Sequence, residues 1–268
     1  MAAVRALLTF DDADLKRLVD FDYRPSVSLA IAKAGGIPPL VELLRDGSAE
    51  AKLSVVWVLH SLMECYDNRV LIAEAGAVPP LVELLRSGSA EAKDHAAMAL
   101  SDLVSGNPPI EANQVLIAAT GAVPPLVELL RGGSADEKQS ASWALGNLAR
   151  NNAANKVLIA EAGGIPPLVA LFRDGDVQIE EEVQIVLENL AYDNDANAVA
   201  IAVAVGFDAV VELARRGRVA VDGALVLSYY THGRVPAKAA LVVAALIGDC
   251  VPVDSVPRVI KDIIITYL

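Results

Sequence analysis

The sequence predicts an all-helical solenoid, and three observations carry that prediction. A proline-led phrase recurs as Ile37-Pro38-Pro39-Leu40-Val41, Val78-Pro79-Pro80-Leu81-Val82, Val123-Pro124-Pro125-Leu126-Val127 and Ile165-Pro166-Pro167-Leu168-Val169, its first prolines 41, 45 and 42 residues apart. A fixed period near 40 marks stacked helical units that share one continuous core. Apolar residues make up 54% of the chain but aromatic ones only 4%. The core is therefore aliphatic, built from Ala, Val, Leu and Ile, whose small side chains let helices pack closely. Finally, Gly35, Gly76, Gly121 and Gly163 fall where short helices should stop, the usual place for glycine.

Each unit reads as three helices. In the copy beginning at Asn155, residues 155–163 form a short helix that ends at Gly163. Pro166-Pro167 open a second helix, where proline sacrifices no hydrogen bond. It carries Leu168, Val169, Leu171 and Phe172 and stops near Asp174-Gly175. A longer third helix follows over about Val177–Ala191. An asparagine recurs at the start of the short helix as Asn68, Asn113, Asn155 and Asn197. It sits where an N-cap belongs, and asparagine caps well. Nineteen residues after the first proline stand Trp57, Met98, Trp143 and Ile185. That offset is constant, so the extra residues of the longest interval fall in the loop around Ser105-Gly106-Asn107-Pro108-Pro109, where an insertion costs little.

The ends are degenerate. Residues 1–33 read as an N-terminal half-repeat or cap, with a leading long helix over Asp14–Phe21. Residues 34–233 read as the solenoid, in which Phe207-Asp208-Ala209-Val210 replaces the last proline phrase. Residues 234–268 read as a helical cap, because a solenoid must cover its last open core face.

Composition narrows the function. The net charge is −12, which opposes nucleic-acid binding through phosphate neutralisation and favours partners with exposed lysines and arginines. The apolar runs at 198–205 and 239–247 fall short of the ~18 residues of a membrane span. The start Met1-Ala2-Ala3-Val4-Arg5, soon followed by Asp11 and Asp12, lacks the pattern of a secretory signal. Cys65 and Cys250 form no metal-ligand motif and read as buried thiols in a reducing compartment. An intracellular, cytoplasmic rather than nuclear, location is expected. His60, His95 and His232 lie far apart in sequence and give no metal site. There is no phosphate-binding glycine loop, nucleophile elbow or zinc-protease motif. No enzyme, cofactor or small-molecule substrate is expected.

The repeat resembles the armadillo repeat. Its three helices, its Gly-Gly/Ala-Ile/Val-Pro-Pro-Leu-Val junction and the run Trp143-Ala144-Leu145-Gly146-Asn147-Leu148-Ala149 carry the likeness, over residues 26–230. The resemblance implies a right-handed superhelix of four well-formed repeats, with the third helices lining a concave groove. In peptide-binding members, the third-helix asparagine bonds the backbone of an extended peptide, and a tryptophan one turn earlier packs on its side chains. The chemistry is apt: residues four apart share a helix face, and a primary amide both donates and accepts.

Carried over residue by residue, the resemblance gives the pairs Trp143/Asn147, Trp57/Ser61, Met98/Asp102 and Ile185/Asn189. Adjacent turns add Ser54 and Glu64, His95 and Ser105, Ser140 and Arg150, and Glu182 and Tyr192. The competing structural reading makes Trp143 ordinary packing and Asn147 a helix-to-helix bond. The proline and Asn68-type positions read as structural.

The expected function is a protein-interaction scaffold that binds an extended partner segment. Asp102, Glu64 and Glu182 would bias it toward basic sequences, with Arg150 a local exception. A carboxylate pair between Asp102 and Glu64 would sit in an open groove, which supplies neither dryness nor the perturbed pKa values of catalysis. His95 is the histidine through which pH would act on binding. The alternatives are a structural subunit of a larger assembly, docking through 237–247, a nuclear-import adaptor and a ubiquitin-ligase substrate reader. One complete Trp/Asn pair, and no basic N-terminal tail, weigh against the import adaptor.

Overall fold

The computed structural model describes residues 25–106, 108–174 and 177–205. Contacts divide the chain into two compact units, 1–167 and 168–268. The expected leading helix over Asp14–Phe21 and the expected cap at 234–268 lie outside the described residues, as does the last degenerate repeat from Phe207 onward.

In the first unit the helices run α1 (Pro25–Lys33), α2 (Ile37–Asp46), α3 (Ala49–Met63), α4 (Tyr66–Glu74), α5 (Val78–Ser87), α6 (Ala90–Val104), α7 (Glu111–Ala119), α8 (Val123–Gly132), α9 (Ala135–Ala149) and α10 (Ala153–Glu161). Like stacks on like. The second helices α2, α5 and α8 pack in series, as do the long helices α3, α6 and α9, and α7 packs on α10. Leu40, Leu81 and Leu126, the same leucine of successive proline phrases, are fully buried. The described residues contain helices and no strands.

Local sequence sets each boundary. Proline occupies the first turn of α2, α5 and α8, where its missing N–H has no partner to lose. Ser48, Ser89 and Ser134 cap the long helices, each hydroxyl accepting from a backbone N–H three residues on, at 3.1, 3.2 and 3.2 Å. At Ser134 the bond is reciprocal, since Glu137 accepts from the Ser134 N–H at 2.8 Å. Gly121, at φ +81°, ends α7. Its N–H bonds the Ala118 carbonyl, and Ala122 N–H bonds Ile117, closing off helix carbonyls. Arginines on the second helices add to this device. Arg86 Nη2 donates to Gly121 O at 3.2 Å and Arg131 Nη2 to Gly163 O at 3.3 Å, each reaching the next repeat.

The recurrent asparagines are structural, but they are not N-caps. Each is the third residue of its helix. Asn68, Asn113 and Asn155 point backward, donating Nδ2 to the carbonyls of Leu62, Leu103 and Leu148 at 2.9, 2.7 and 3.0 Å. They thus satisfy the open C-terminal end of the preceding long helix. Asn152, not Asn155, is the N-cap of α10. Asn113→Ala removes a buried amide and leaves the Leu103 carbonyl without this donor. It is expected to cost about 1–3 kcal/mol, read as a lowered urea midpoint at unchanged slope.

The second unit begins within α11 (Ile165–Asp174) and continues through α12 (Val177–Ala191) and α13 (Asp195–Val205). Val183, Val186, Leu187 and Leu190 of α12 are buried, and α12 packs on α13. Asn197 repeats the backward bond, to Leu190 O at 3.1 Å. Cys65 is a free thiol and only half-buried, in contrast to the buried thiol expected.

Candidate functional site

The candidate site in the first unit is the outward face of α3, α6 and α9. Two bonds tie these helices together at equivalent places. His60, twenty-two residues past its repeat's first proline, meets Asp102, twenty-three past the next one, with Nδ1 2.6 Å from Oδ2. The same rule pairs Ser101 with Asn147, whose Nδ2 donates to the Ser101 hydroxyl at 2.9 Å. The expectation for Asn147 as a groove amide is therefore altered: its donor serves the neighbouring helix, as the structural reading held. Its backbone carbonyl accepts from Gln114 at 2.7 Å.

The two tryptophans stand outward. Trp57 is 42% and Trp143 37% exposed, large values for indoles in a well-packed unit. Trp57 is flanked by two imidazoles, with ring centroids 4.4 Å to His95 in a tilted stack and 6.4 Å to His60 edge-on. Met98, between the tryptophans in repeat order, is half-buried. Ser61 is half-buried and donates to the Trp57 carbonyl at 3.2 Å, within its own helix. Glu64 is exposed at the end of α3.

Histidine 60 was not among the residues the family motif picks out. The Asp102 hydrogen bond raises its pKa above the ordinary 6.5. Partial burial opposes that rise, and the negative charges of Asp102 and Glu64 support it. Asp102 and Glu64 both act on His60. His95 has 3.9 Å to Glu91 and 4.0 Å to Asp94.

Other expected positions fall differently. Arg150 is half-buried and donates through Nη2 to the Gly106 carbonyl, so it fastens the inserted loop. Arg69 holds the same loop from the preceding repeat, with Nη1 2.6 Å from Ser105 O. Ser105 is half-buried, and Ser140 is buried at 4% exposure and withdrawn from the face. In the second unit, Ile185 and Tyr192 are exposed at 58% and 65%, while Glu182 and Asn189 are half-buried on α12. Among the described residues, no three His, Cys, Asp or Glu side chains come together as a metal site, and no single helix is long and apolar enough to cross a membrane.

Comparison with known proteins agrees with this architecture. The Armadillo/beta-catenin-like repeat matches residues 25–64, 65–105 and 111–150. No curated protein sequence matches the chain. Solved structures do. An engineered protein superimposes with a TM-score of 0.76 at 27% identity, covering 88% of this chain and 99% of its own. A designed armadillo repeat protein gives 0.71 at 25% identity, covering 79% and 90%. Another, solved in complex with the peptide (KR)4, gives 0.70 at 28% identity, covering 78% and 89%.

Proposed function

The chain carries armadillo repeats, and from that premise we propose that it is a non-enzymatic scaffold that holds an extended, cationic segment of a partner protein against its long helices. One observation carries the reading: two tryptophans at one repeat position both stand exposed on the stacked long helices. Exposed indoles at regular spacing are strong anchors, offering a broad apolar face to aliphatic stems and to cations. Charge supports the polarity of the partner. Glu64 and Asp102 lie on the same face as Trp57, and the chain as a whole is acidic at −12. The same acidity repels phosphate backbones, so nucleic acid is not a proposed ligand. The (KR)4 complex of a designed relative supports a basic ligand by analogy.

In this reading Trp57, Met98 and Trp143 supply apolar contact, while Ser61, Glu64 and Asp102 set polar register. Ile185 and Tyr192 offer a comparable surface in the second unit. The test is affinity capture with the intact chain beside Trp57→Ala/Trp143→Ala, with recovered proteins identified by mass spectrometry. Partners lost only with the double variant support the scaffold. Partners kept equally well remove the long-helix face from consideration.

A second reading, a fixed subunit of a larger assembly, has its own observation. Leu71, Val115, Leu116 and Val157 are exposed on the short helices α4, α7 and α10. The same capture separates the two, because a subunit docked by its short helices keeps its partners when the tryptophans are removed.

A further inference from the structure

We propose that His60 and Asp102 form a proton-controlled charge element in the binding face, so that a cationic segment binds more tightly as pH rises and His60 becomes neutral. The proposal rests on the peptide-binding reading above and adds its regulation. Geometry carries it. The pair bridges adjacent repeats at 2.6 Å, and its side chains are 38% and 27% exposed, so both reach the face on which Trp57 stands. Trp57 precedes His60 by one turn and lies edge-on to it at 6.4 Å. Any segment lying on that indole lies beside the imidazole.

The bond to Asp102 keeps a proton on Nδ1 in both charge states. The other nitrogen, Nε2, therefore changes character: it donates when His60 is protonated and accepts when it is neutral. The net charge of the pair changes with it, from zero to −1. Lysine and arginine are donors only. The protonated pair offers them no net attraction and a competing donor. The neutral-imidazole pair offers an acceptor and a negative charge.

The surroundings permit this titration. Asp102 comes from α6 and Glu64 from the end of the His60 helix, and these two carboxylates are the charges that act on His60. His95, also on α6, is the nearer ring contact of Trp57 at 4.4 Å, with Glu91 and Asp94 beside it. Among the described residues, no titratable group from α1, α2 or α4, the other helices packed on α3, shifts His60. The Asp102 bond raises the pKa of His60 above the ordinary 6.5, so the imidazole holds its proton to higher pH than a free histidine does. Linkage makes the effect reciprocal: a cation that favours the neutral imidazole also lowers its pKa when bound.

The experiment is calorimetric titration of the whole chain with (KR)4 from pH 5.5 to 8.5, repeated in two buffers of different ionisation heat. Moving one unit charge a few ångströms from a cation at a half-exposed site predicts an affinity gain of about five- to tenfold over that range. Proton release on binding is expected where His60 titrates, and it should vanish at the alkaline end where His60 is already neutral. His60→Gln fixes the charge of the pair and is expected to bind equally at both ends. Binding with a flat profile in the unaltered chain overturns the proton control and leaves the peptide-binding reading standing. A slope that survives His60→Gln overturns the assignment to His60. No binding at any pH overturns the reading and the proposal together.

Discussion

Leu103→Ala is expected to destabilise the protein by about 2–5 kcal/mol, the usual cost of a cavity left by a fully buried leucine. Leu103 is 0% exposed and sits near the end of α6. That helix packs against α3, α4, α5, α7 and α9, so a cavity in it leaves several neighbours unsupported. The Leu103 carbonyl also receives the Asn113 amide at 2.7 Å, and a backbone shift toward the cavity would strain that bond. In stacked repeats, stability is a sum of unit terms and neighbour-interface terms. A defect in the middle repeat weakens both of its interfaces at once. Urea unfolding should therefore show a lower midpoint, with a shallower or divided transition. Leu71→Ala is the control: it trims a side chain 42% exposed and should stay within about 0.5 kcal/mol. Superimposable curves for Leu103→Ala and the parent would contradict this account of the core.

The repeat and its three-helix unit were legible because periodicity reports packing directly. Prolines at fixed spacing, leucines at fixed offsets from them and a glycine at each short-helix end leave one arrangement that buries the aliphatic residues. The predicted third helix over 177–191 is α12, residue for residue. What failed to show was where polar side chains point across repeats. Asparagine near a helix start is an N-cap by propensity. Asn113 instead lies inside its helix and reaches ten residues back, because a long helix ends there with open carbonyls. Its direction depends on how two helices meet, which no local preference encodes. Arg150 shows the same limit, since it follows the inserted loop at Gly106 in the preceding repeat. His60 is the instructive omission. The family motif passes over it, yet its partner Asp102 sits 42 residues away, one repeat on and one position later. Ser101 and Asn147, 46 apart across the insertion, obey the same positional rule. Both bonds belong to pairs of positions in adjacent repeats, which neither repeat carries alone.

That rule separates Trp143 from Asn147, which the resemblance treats as one recognition pair. Trp143→Ala is expected to weaken binding of (KR)4 by about thirtyfold, near 2 kcal/mol, the size of a central aromatic anchor. Its indole is 37% exposed, so less of its removal falls on the folded state, and helicity should be retained. Asn147→Ala is expected to do the reverse. The Asn147 amide is held by Ser101, itself only 5% exposed, at 2.9 Å. Removing it strips a buried hydroxyl of this donor and should lower stability by about 1–3 kcal/mol. Its effect on affinity should be the smaller of the two, because the donor that a peptide carbonyl would need is already engaged. Peptide calorimetry and urea midpoints on both variants decide the matter. Equal affinity losses, with no loss of stability for Asn147→Ala, would mean that the amide leaves Ser101 for the ligand. The bond between α6 and α9 would then be a resting contact that binding exchanges, and the affinity of this face would include the cost of breaking it.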